Sequence, residues 1–197
     1  MGQCHPECLG ILPEFIHMKS KLTDPSFGVG SKFYRLFFSL IWALVGRFSP
    51  VPLFRYRVFL LRLFGADIST GFRIYPSVSV WSPRNLQAGL DSTIGPRVNF
   101  YNQGQVILGE RVIVSQDATI CASTHDYNDP IHPLLIAPIT IHDDAWICAE
   151  AFVGPGVTVG EGAVIGARAV LTKDAEPWSV YAGNPARKIK DRKRFYE

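Results

Sequence analysis

Aliphatic side chains recur every six residues over the C-terminal third of the chain. One column of them consists of Ile141, Ile147, Val153, Val159, Ile165 and Leu171. A second column of small or aliphatic residues lies two positions earlier, at Ile139, Ala145, Ala151, Val157, Ala163 and Ala169. Neither the 3.6-residue period of a helix nor the two-residue period of a strand produces this spacing. The pattern instead predicts a coiled chain in which each hexad supplies one short strand and one corner.

The same period extends towards the N-terminus with interruptions. It runs from Ile68 to Leu86, includes Ile94 and Phe100, and resumes from Leu108 to Ile120 after a phase shift around Asn102. If three hexads close one triangular turn, the hexads predict an all-β solenoid, a parallel β-helix of about five coils. Stacked coils would pair each strand with the strands above and below it and bury the aliphatic columns.

Glycine follows the aliphatic residue in three consecutive hexads, at Gly154, Gly160 and Gly166. Because glycine adopts positive φ without steric cost, we expect these glycines to form corners of the coil.

The longest interruption of the repeat lies between Ile120 and Ile139. This segment contains several prolines, which cannot donate a hydrogen bond to a β-ladder. We therefore predict a β-helix domain over residues 66–175, with a loop at residues 126–138 excluded from the coil. Loops carried by a rigid scaffold are frequent functional sites.

The chain before residue 66 has a different character. Residues 1–30 are irregular and rich in Pro, Gly and Cys, whereas residues 31–65 are apolar with scattered Arg and Lys and predict helices. The uncharged run from Leu36 to Gly46 is shorter than the roughly 20 residues that a membrane-spanning helix needs. Two interpretations stay open: residues 31–64 cap the first coil or cover a neighbouring subunit, or they lie on a membrane surface as basic amphipathic helices.

The net charge of the chain is only +3, but six of the ten residues from Ala186 to Phe195 are Lys or Arg. We interpret residues 176–197 as a basic tail with a short, solvated helix. Nucleic acid is not an expected partner, because the tail has no interleaved aromatic platform.

The four cysteines are too few for a disulfide scaffold, and no signal peptide precedes the apolar run. Both features predict a cytoplasmic protein. Cys4, His5 and Cys8 fall short of the four ligands of a structural zinc site, so no metal is expected.

Two segments flank the excluded loop and, together with the repeat, carry a resemblance: ICASTHDY at Ile120–Tyr127 and the segment from Ala137 to Arg187. Over roughly residues 66–190 the chain resembles the hexapeptide-repeat O-acetyltransferases, a family of left-handed parallel β-helices. Within them it is most similar to the maltose, galactoside and nodulation acetyltransferase group, and in particular to its colanic acid and exopolysaccharide branch.

The resemblance implies an enzyme that moves an acetyl group from acetyl-CoA to a hydroxyl of a sugar or lipid-linked saccharide in polysaccharide biosynthesis. It also implies a homotrimer with each site between two neighbouring coils, and a location at the inner face of the membrane suits a lipid-linked acceptor. Two alternatives stay open: a non-catalytic solenoid that serves as an interaction scaffold, and an acetyltransferase acting on a small non-sugar hydroxyl or amine.

His125 is the candidate catalytic residue. Acetyl transfer from a thioester needs a base for the hydroxyl proton, and imidazole has a suitable unperturbed pKa. His125 ends the segment from which the loop departs, and CASTHD matches the segment that holds the family's catalytic histidine. The residue that orients its ring is not identified by the sequence. The resemblance implies an Asn that contacts the acceptor, which is Asn102 or, in an alternative alignment, Asn99. Asp126 and Tyr127 are the further candidates for binding the acceptor.

The resemblance also implies residues for the donor. Trp146 would lie near the acetyl group, and the backbone at Ala149 and Ala167 would bind the pantetheine arm. The nucleotide end would be approached by Thr172, Lys173 and Arg187. Small residues leave room for main-chain hydrogen bonds to an extended ligand, although a tight coil requires small residues in any case.

Overall fold

The computed structural model describes residues 27–195. Helix α1 spans Val29–Ile41 and continues into a π-helical turn at Trp42–Gly46. Helix α2 spans Phe54–Leu63. The strands that follow are β1 (Asp67–Ile68), β2 (Arg73–Ile74), β3 (Ser79–Val80), β4 (Leu86–Ala88), β5 (Thr93–Ile94), β6 (Asn99–Tyr101), β7 (Val106–Leu108), β8 (Ile113–Val114), β9 (Thr119–Cys121), β10 (Ser123–His125), β11 (Leu134–Ile136), β12 (Ile139–Ile141), β13 (Trp146–Ile147), β14 (Phe152–Val153), β15 (Thr158–Val159), β16 (Val164–Ile165), β17 (Val170–Leu171), β18 (Ser179–Ala182) and β19 (Arg187–Asp191).

Most of these strands stack into three parallel sheets, which form the faces of a triangular prism. Face A has the order β1-β4-β7-β12-β15, face B the order β2-β5-β8-β13-β16-β18, and face C the order β3-β6-β9-β14-β17. Five complete coils result, and a sixth begins where Ala175 bridges to Val159. The predicted parallel β-helix, preceded by a helical segment, is confirmed.

The aliphatic columns fill the prism. Ile141, Ile147, Val153, Val159 and Ile165 are completely buried. Strands of two residues, such as β13 and β14, place their first residue outward and their second residue inward. The six-residue period is therefore the sequence trace of one inward-pointing residue for each face of each coil.

The corners differ from the prediction. Gly154, Gly160 and Gly166 do not have positive φ; that conformation occurs three residues after the aliphatic position. Five consecutive corners show it, at Asp144, Glu150, Gly156, Gly162 and Arg168. The glycine after the aliphatic residue is needed for another reason. A Cβ atom at position 160 would lie 2.5 Å from the backbone nitrogen of Pro177 in the next coil.

Charged residues at these corners pair between successive coils. The guanidinium of Arg111 binds both carboxylate oxygens of Asp144, at 2.8 and 2.9 Å. Arg97 binds Asp117 in the same bidentate way at 2.7 Å. The nearby guanidinium holds the pKa of the Asp144 carboxyl below its usual value.

The C-terminal segment is a strand rather than the predicted helix. Strand β18 continues face B, and β19 pairs with it in antiparallel fashion, with Ala182 opposite Arg187. An uncovered last strand would expose a row of unpaired backbone groups, and β19 covers that edge. Arg192 then holds the chain against the solenoid, because its Nη1 donates to the carbonyls of Asp144 and Gly162 at 3.0 and 2.8 Å.

The helical segment caps the first coil. Phe38, Trp42 and Leu61 are buried against it, and the indole Nε1 of Trp42 donates to the Val78 carbonyl at 3.0 Å. Arg57 is fully buried and donates from Nε to the Ile74 carbonyl at 2.7 Å. Burial lowers the pKa of this guanidinium. Within residues 27–195, no helix combines the length and the apolar character needed to cross a membrane.

Candidate active site

A two-stranded arm leaves the prism between faces C and A. Its strands β10 and β11 pair in antiparallel fashion, with Thr124 opposite Leu135 and His125 opposite Leu134. The backbone N–H of Ala137 donates to the Ala122 carbonyl at 3.1 Å and closes the base of the arm. The excluded segment therefore begins at Ser123, three residues before the predicted loop at 126–138, and its proximal part is paired rather than irregular.

His125 is the last residue of β10, and its side chain is exposed. Its Nδ1 atom lies 2.7 Å from the backbone carbonyl oxygen of His132. A carbonyl oxygen accepts hydrogen bonds and cannot donate one, so this contact selects the tautomer with the proton on Nδ1. The lone pair of Nε2 is then available to take a proton.

The turn at the tip of the arm fixes the His132 carbonyl. The backbone N–H of His132 donates to the Asp129 carbonyl at 2.9 Å, and that of Asp126 donates to the Pro133 carbonyl at 3.0 Å. His132 itself has a φ of +46°, which is uncommon for a residue other than glycine. The group that orients His125 is thus a backbone atom, and no side-chain motif could have identified it.

The two predicted acceptor residues next to His125 differ in their surroundings. Asp126 uses Oδ1 to accept from the backbone N–H of Asn128 at 3.0 Å, which gives its carboxylate a role in the turn. The side chain of Tyr127 is 56% exposed. Tyr127 is the more accessible of the two.

Asn102 has a structural role, and its predicted contact with the acceptor conflicts with its position. Its side chain is 0% exposed. The Oδ1 atom accepts from the backbone N–H groups of Trp81 at 3.0 Å and Ser82 at 3.2 Å, while Nδ2 donates to the Ser82 carbonyl at 2.7 Å. A buried amide engaged in this way ties the second coil to the first and has no surface left for a ligand.

The phase shift nevertheless brings two other polar residues to the base of the arm. The carbonyl of Tyr101 accepts from the backbone N–H of Ala122 at 3.2 Å, and the phenol oxygen of Tyr101 accepts from Gln103 Nε2 at 3.0 Å. The Oε1 atom of Gln103 is buried and has no hydrogen-bond partner among residues 27–195. The six-residue period predicts no role for Tyr101 or Gln103, although both lie in the interruption of the repeat around Asn102.

The predicted pantetheine residues line up along one corner. Ala149 and Ala167 occupy equivalent places between faces B and C in successive coils, and the backbone N–H of Arg168 donates to the Ala149 carbonyl at 2.9 Å. Trp146 lies on face B just before this corner, is 42% exposed and donates from Nε1 to Ser115 Oγ at 2.9 Å. Ala149 is half-buried and Ala167 is exposed, and their small side chains take up little of the space that an extended ligand would need.

The remaining donor residues lie elsewhere. Thr172 and Lys173 are exposed at the corner between faces C and A, the corner from which the arm departs two coils earlier. Arg187 is exposed at the start of β19. Within one chain, the structure places His125 and the corner of Ala149 and Ala167 at different edges of the prism.

A metal centre is not evident among the residues that the structure describes. Within residues 27–195, no three His, Cys, Asp or Glu side chains gather where they could hold a metal ion. Cys4, His5 and Cys8 lie outside the described residues.

The fold, the arm and the repeat define a class of protein. Residues 138–173 match the family model described as bacterial transferase hexapeptide (six repeats). The chain belongs to the hexapeptide-repeat acetyltransferases, because it is 38% identical over 152 residues to the "Putative colanic acid biosynthesis acetyltransferase WcaF" of Escherichia coli K12. That match covers 77% of this chain and 84% of the relative. The galactoside O-acetyltransferase of Escherichia coli K12 is 34% identical over 119 residues, or 57% of this chain and 56% of that protein.

Solved structures share the fold. A hexapeptide-repeat acetyltransferase of Vibrio cholerae, complexed with acetyl coenzyme A, superposes with a TM-score of 0.76 at 20% identity, over 91% of this chain and 99% of that one. A galactoside acetyltransferase in complex with coenzyme A gives a TM-score of 0.73 at 21% identity, over 93% and 96% of the two chains. The coil therefore has the left-handed β-helix fold of these acetyltransferases.

Proposed function

We propose that this enzyme acetylates a hydroxyl of a sugar or lipid-linked saccharide in polysaccharide biosynthesis, with His125 as the general base. The observation that carries the proposal is the 2.7 Å contact between His125 Nδ1 and the His132 carbonyl, which leaves Nε2 free on an exposed arm. The sugar acceptor is supported by the names of two relatives, a colanic acid biosynthesis acetyltransferase and a galactoside O-acetyltransferase.

The chemistry is a direct transfer in a ternary complex. Nε2 of His125 removes the hydroxyl proton while the acceptor oxygen forms a bond to the thioester carbon. The resulting tetrahedral oxyanion collapses, the C–S bond breaks, and the imidazolium returns its proton to the leaving thiolate of coenzyme A. Backbone N–H groups near the thioester carbonyl stabilise the oxyanion. The His132 carbonyl stabilises the imidazolium that forms midway, because the hydrogen bond from Nδ1 strengthens when the ring is charged.

The acceptor binds along the arm. Tyr127 is exposed beside His125, and Asp126 holds the turn that both residues share. Tyr101 lies at the base of the arm, is 39% exposed and offers a phenol to a further hydroxyl group, and Gln103 positions that phenol through Nε2.

Acetyl-CoA binds along the corner of Ala149 and Ala167, with Trp146 near the acetyl group and Thr172, Lys173 and Arg187 towards the phosphates. Lys173 and Arg187 are exposed cations, which suit phosphate binding. A homotrimer completes each site, because the arm of one chain then faces the corner of its neighbour. Size-exclusion chromatography with light scattering tests this assembly, and a monomer that retains full activity would contradict it.

The enzyme works at the inner surface of the membrane, where a lipid-linked acceptor would be found. Five apolar side chains, each at least 54% exposed, form an outer stripe along α1 and the π-helical turn: Val29, Phe33, Leu36, Leu40 and Leu44. They recur at helical spacing on the side of α1 away from buried Phe38. An amphipathic helix of this kind suits the membrane interface.

The deciding experiment measures thiol release from acetyl-CoA with a panel of acceptors. The panel holds free sugars, lipid-linked saccharides and chloramphenicol, since a 55-residue stretch is 58% identical to a chloramphenicol acetyltransferase of Agrobacterium fabrum, 28% of this chain and 25% of that protein. We expect the wild type to release thiol when a saccharide is the acceptor, and we expect the His125→Ala variant to lose this release. Release with chloramphenicol alone would point to a small non-sugar acceptor.

A further inference from the structure

A groove of about 590 Å³ lies between α2 and the first coil, away from the arm. One side is formed by α2 and the residues before it, and the other by residues 69–73 at the corner that leads into β2. Three guanidinium groups line the groove, those of Arg55, Arg62 and Arg73, and no Asp or Glu is among the described residues that line it. The groove is therefore a cationic site that the acetyl-transfer mechanism does not use.

The three arginines are held differently. Arg62 is anchored, because its Nε and Nη2 atoms donate to the Ile68 carbonyl at 2.9 and 2.5 Å. Arg55 and Arg73 have exposed side chains and form no ion pair within residues 27–195. Residues 27–66 contain six Lys or Arg and no Asp or Glu. On the coil side, the carboxylate of Asp91 lies against Gly71 and forms no ion pair with either arginine.

Apolar side chains border the groove on the same face of α2. Phe59 and Leu63 are 60% and 67% exposed, and they alternate with Arg55 and Arg62 at spacings of three, four and one residue. Arg55, Phe59 and Arg62, three or four residues apart, share one side of the helix, and Leu63 lies at its margin. The cationic groove thus lies beside exposed apolar side chains of α2. The outer stripe of α1 belongs to the same N-terminal helical segment.

We propose that this groove binds the phosphate of an anionic phospholipid headgroup at the bilayer surface, with Arg55 and Arg73 as the principal ligands. Arginine forms bidentate hydrogen bonds to phosphate oxygens, and Phe59 and Leu63 lie where the acyl chains begin. A second copy of the chain is a poorer occupant, because the lining carries three arginines and no carboxylate, so two copies of it would repel each other. The proposal rests on the membrane contact proposed above and names the residues that make it specific for anionic lipid.

Flotation of the full chain with vesicles tests the proposal. We expect the wild type to float with vesicles of phosphatidylglycerol and phosphatidylcholine, and much less with phosphatidylcholine alone. The Arg55→Gln/Arg73→Gln variant should partition roughly 25-fold less, since each cation near an anionic surface contributes about 1 kcal/mol. Lys190→Gln/Lys193→Gln removes the same charge from the exposed C-terminal segment and is the matched control. The Arg55→Lys/Arg73→Lys variant should fall between the wild type and the glutamine variant.

The outcomes separate the ideas. If the wild type does not float, both the membrane contact and the lipid site in the groove are overturned. The proposed acetyl transfer is then tested separately by thiol release. If the wild type floats, and the Arg55→Gln/Arg73→Gln variant floats as well as the Lys190→Gln/Lys193→Gln control, the lipid site in the groove is overturned while the membrane contact stands. Glycerol phosphate at matched ionic strength distinguishes the sources of phosphate. If the protein stays bound to vesicles in the presence of glycerol phosphate, the ligand is a headgroup in a bilayer. If glycerol phosphate displaces the protein fully, the ligand is a soluble phosphate and the lipid proposal is overturned. Unchanged thermal stability of the variants shows that they are folded.

Discussion

The Nδ1 atom of His125 lies 2.7 Å from the backbone carbonyl oxygen of His132, across the tip of the arm. A residue seven positions away in sequence thus contacts the ring through its main chain, whereas the His132 imidazole makes a separate, longer contact from Nδ1 to the Asp126 carbonyl oxygen at 3.4 Å. The two histidines of the arm are therefore expected to respond differently to substitution.

Replacing His125 with Ala should lower kcat by about 10²- to 10⁴-fold, the usual contribution of a general base. Steady-state thiol release at saturating acetyl-CoA measures it. His142→Ala is the control, because His142 is exposed at a corner on another edge of the prism. Turnover near that of the wild type in His125→Ala would remove the proposed mechanism.

Replacing His132 with Asn should preserve most of the activity, because Asn tolerates the positive φ of this position and keeps the carbonyl in place. His132→Val should lower kcat well below that of His132→Asn, because a β-branched residue disfavours positive φ and displaces the carbonyl. Both variants are compared in kcat and KM. If His132→Asn lost as much activity as His125→Ala, the ring rather than the backbone of His132 would be the active element.

Gly160→Ala should destabilise the fold by about 1–3 kcal/mol, the cost of overpacking a close contact. The new Cβ would approach the Pro177 nitrogen to 2.5 Å, whereas at Gly154 the nearest atom is 3.3 Å away. Gly154→Ala is thus the matched control for urea unfolding. Equal losses in the two variants would show that the close approach of the next coil is not the reason for glycine.

Replacing Arg57 with Met should lower the free energy of unfolding. The expected loss is about 1–3 kcal/mol for each buried carbonyl that no longer has a hydrogen-bond donor. Arg57 bonds the Ile74 carbonyl in the first coil and the Pro50 carbonyl before α2. Thermal unfolding measures the loss, with Arg55→Met as the control, since Arg55 is exposed. An equal melting temperature for both variants would argue against Arg57 as the link between the helices and the prism.

The Asp144–Arg111 pair should stabilise the fold above the unfolded-state pKa of aspartate, near 3.9, and lose this effect as the pH falls. The pKa of Asp144 is lowered in the folded state by the Arg111 guanidinium. Its stabilisation is therefore present above the unfolded pKa and disappears as pH falls through the folded pKa. Because the Arg111 side chain is 44% exposed and solvent screens the pair, the effect should be at most about 1 kcal/mol.

Melting temperatures of the wild type and Asp144→Asn, compared at neutral and strongly acidic pH, check this prediction. The difference between them should shrink as the pH falls below the folded pKa. Asp91→Asn is the control, because Asp91 is exposed and forms no ion pair within residues 27–195. A difference that grew on acidification would contradict the assigned sign.

The sequence by itself determined the parallel β-helix, because one inward residue for each strand leaves a six-residue period in the chain. It also marked the position of His125, where that period is interrupted by prolines. Where a residue's surroundings come from other coils, the sequence was insufficient. The burial of Asn102 depends on Trp81 and Ser82 of the preceding coil. The close approach at Gly160 depends on the coil that follows.

Only the tertiary structure decided the remaining features, since each is a contact between segments distant in sequence or one made by the main chain. The tail became a strand because the last edge of face B needed a partner. The tautomer of His125 follows from a carbonyl whose position is set by the turn at the arm's tip. A backbone oxygen is the same in every residue, so its role is visible only in the folded chain.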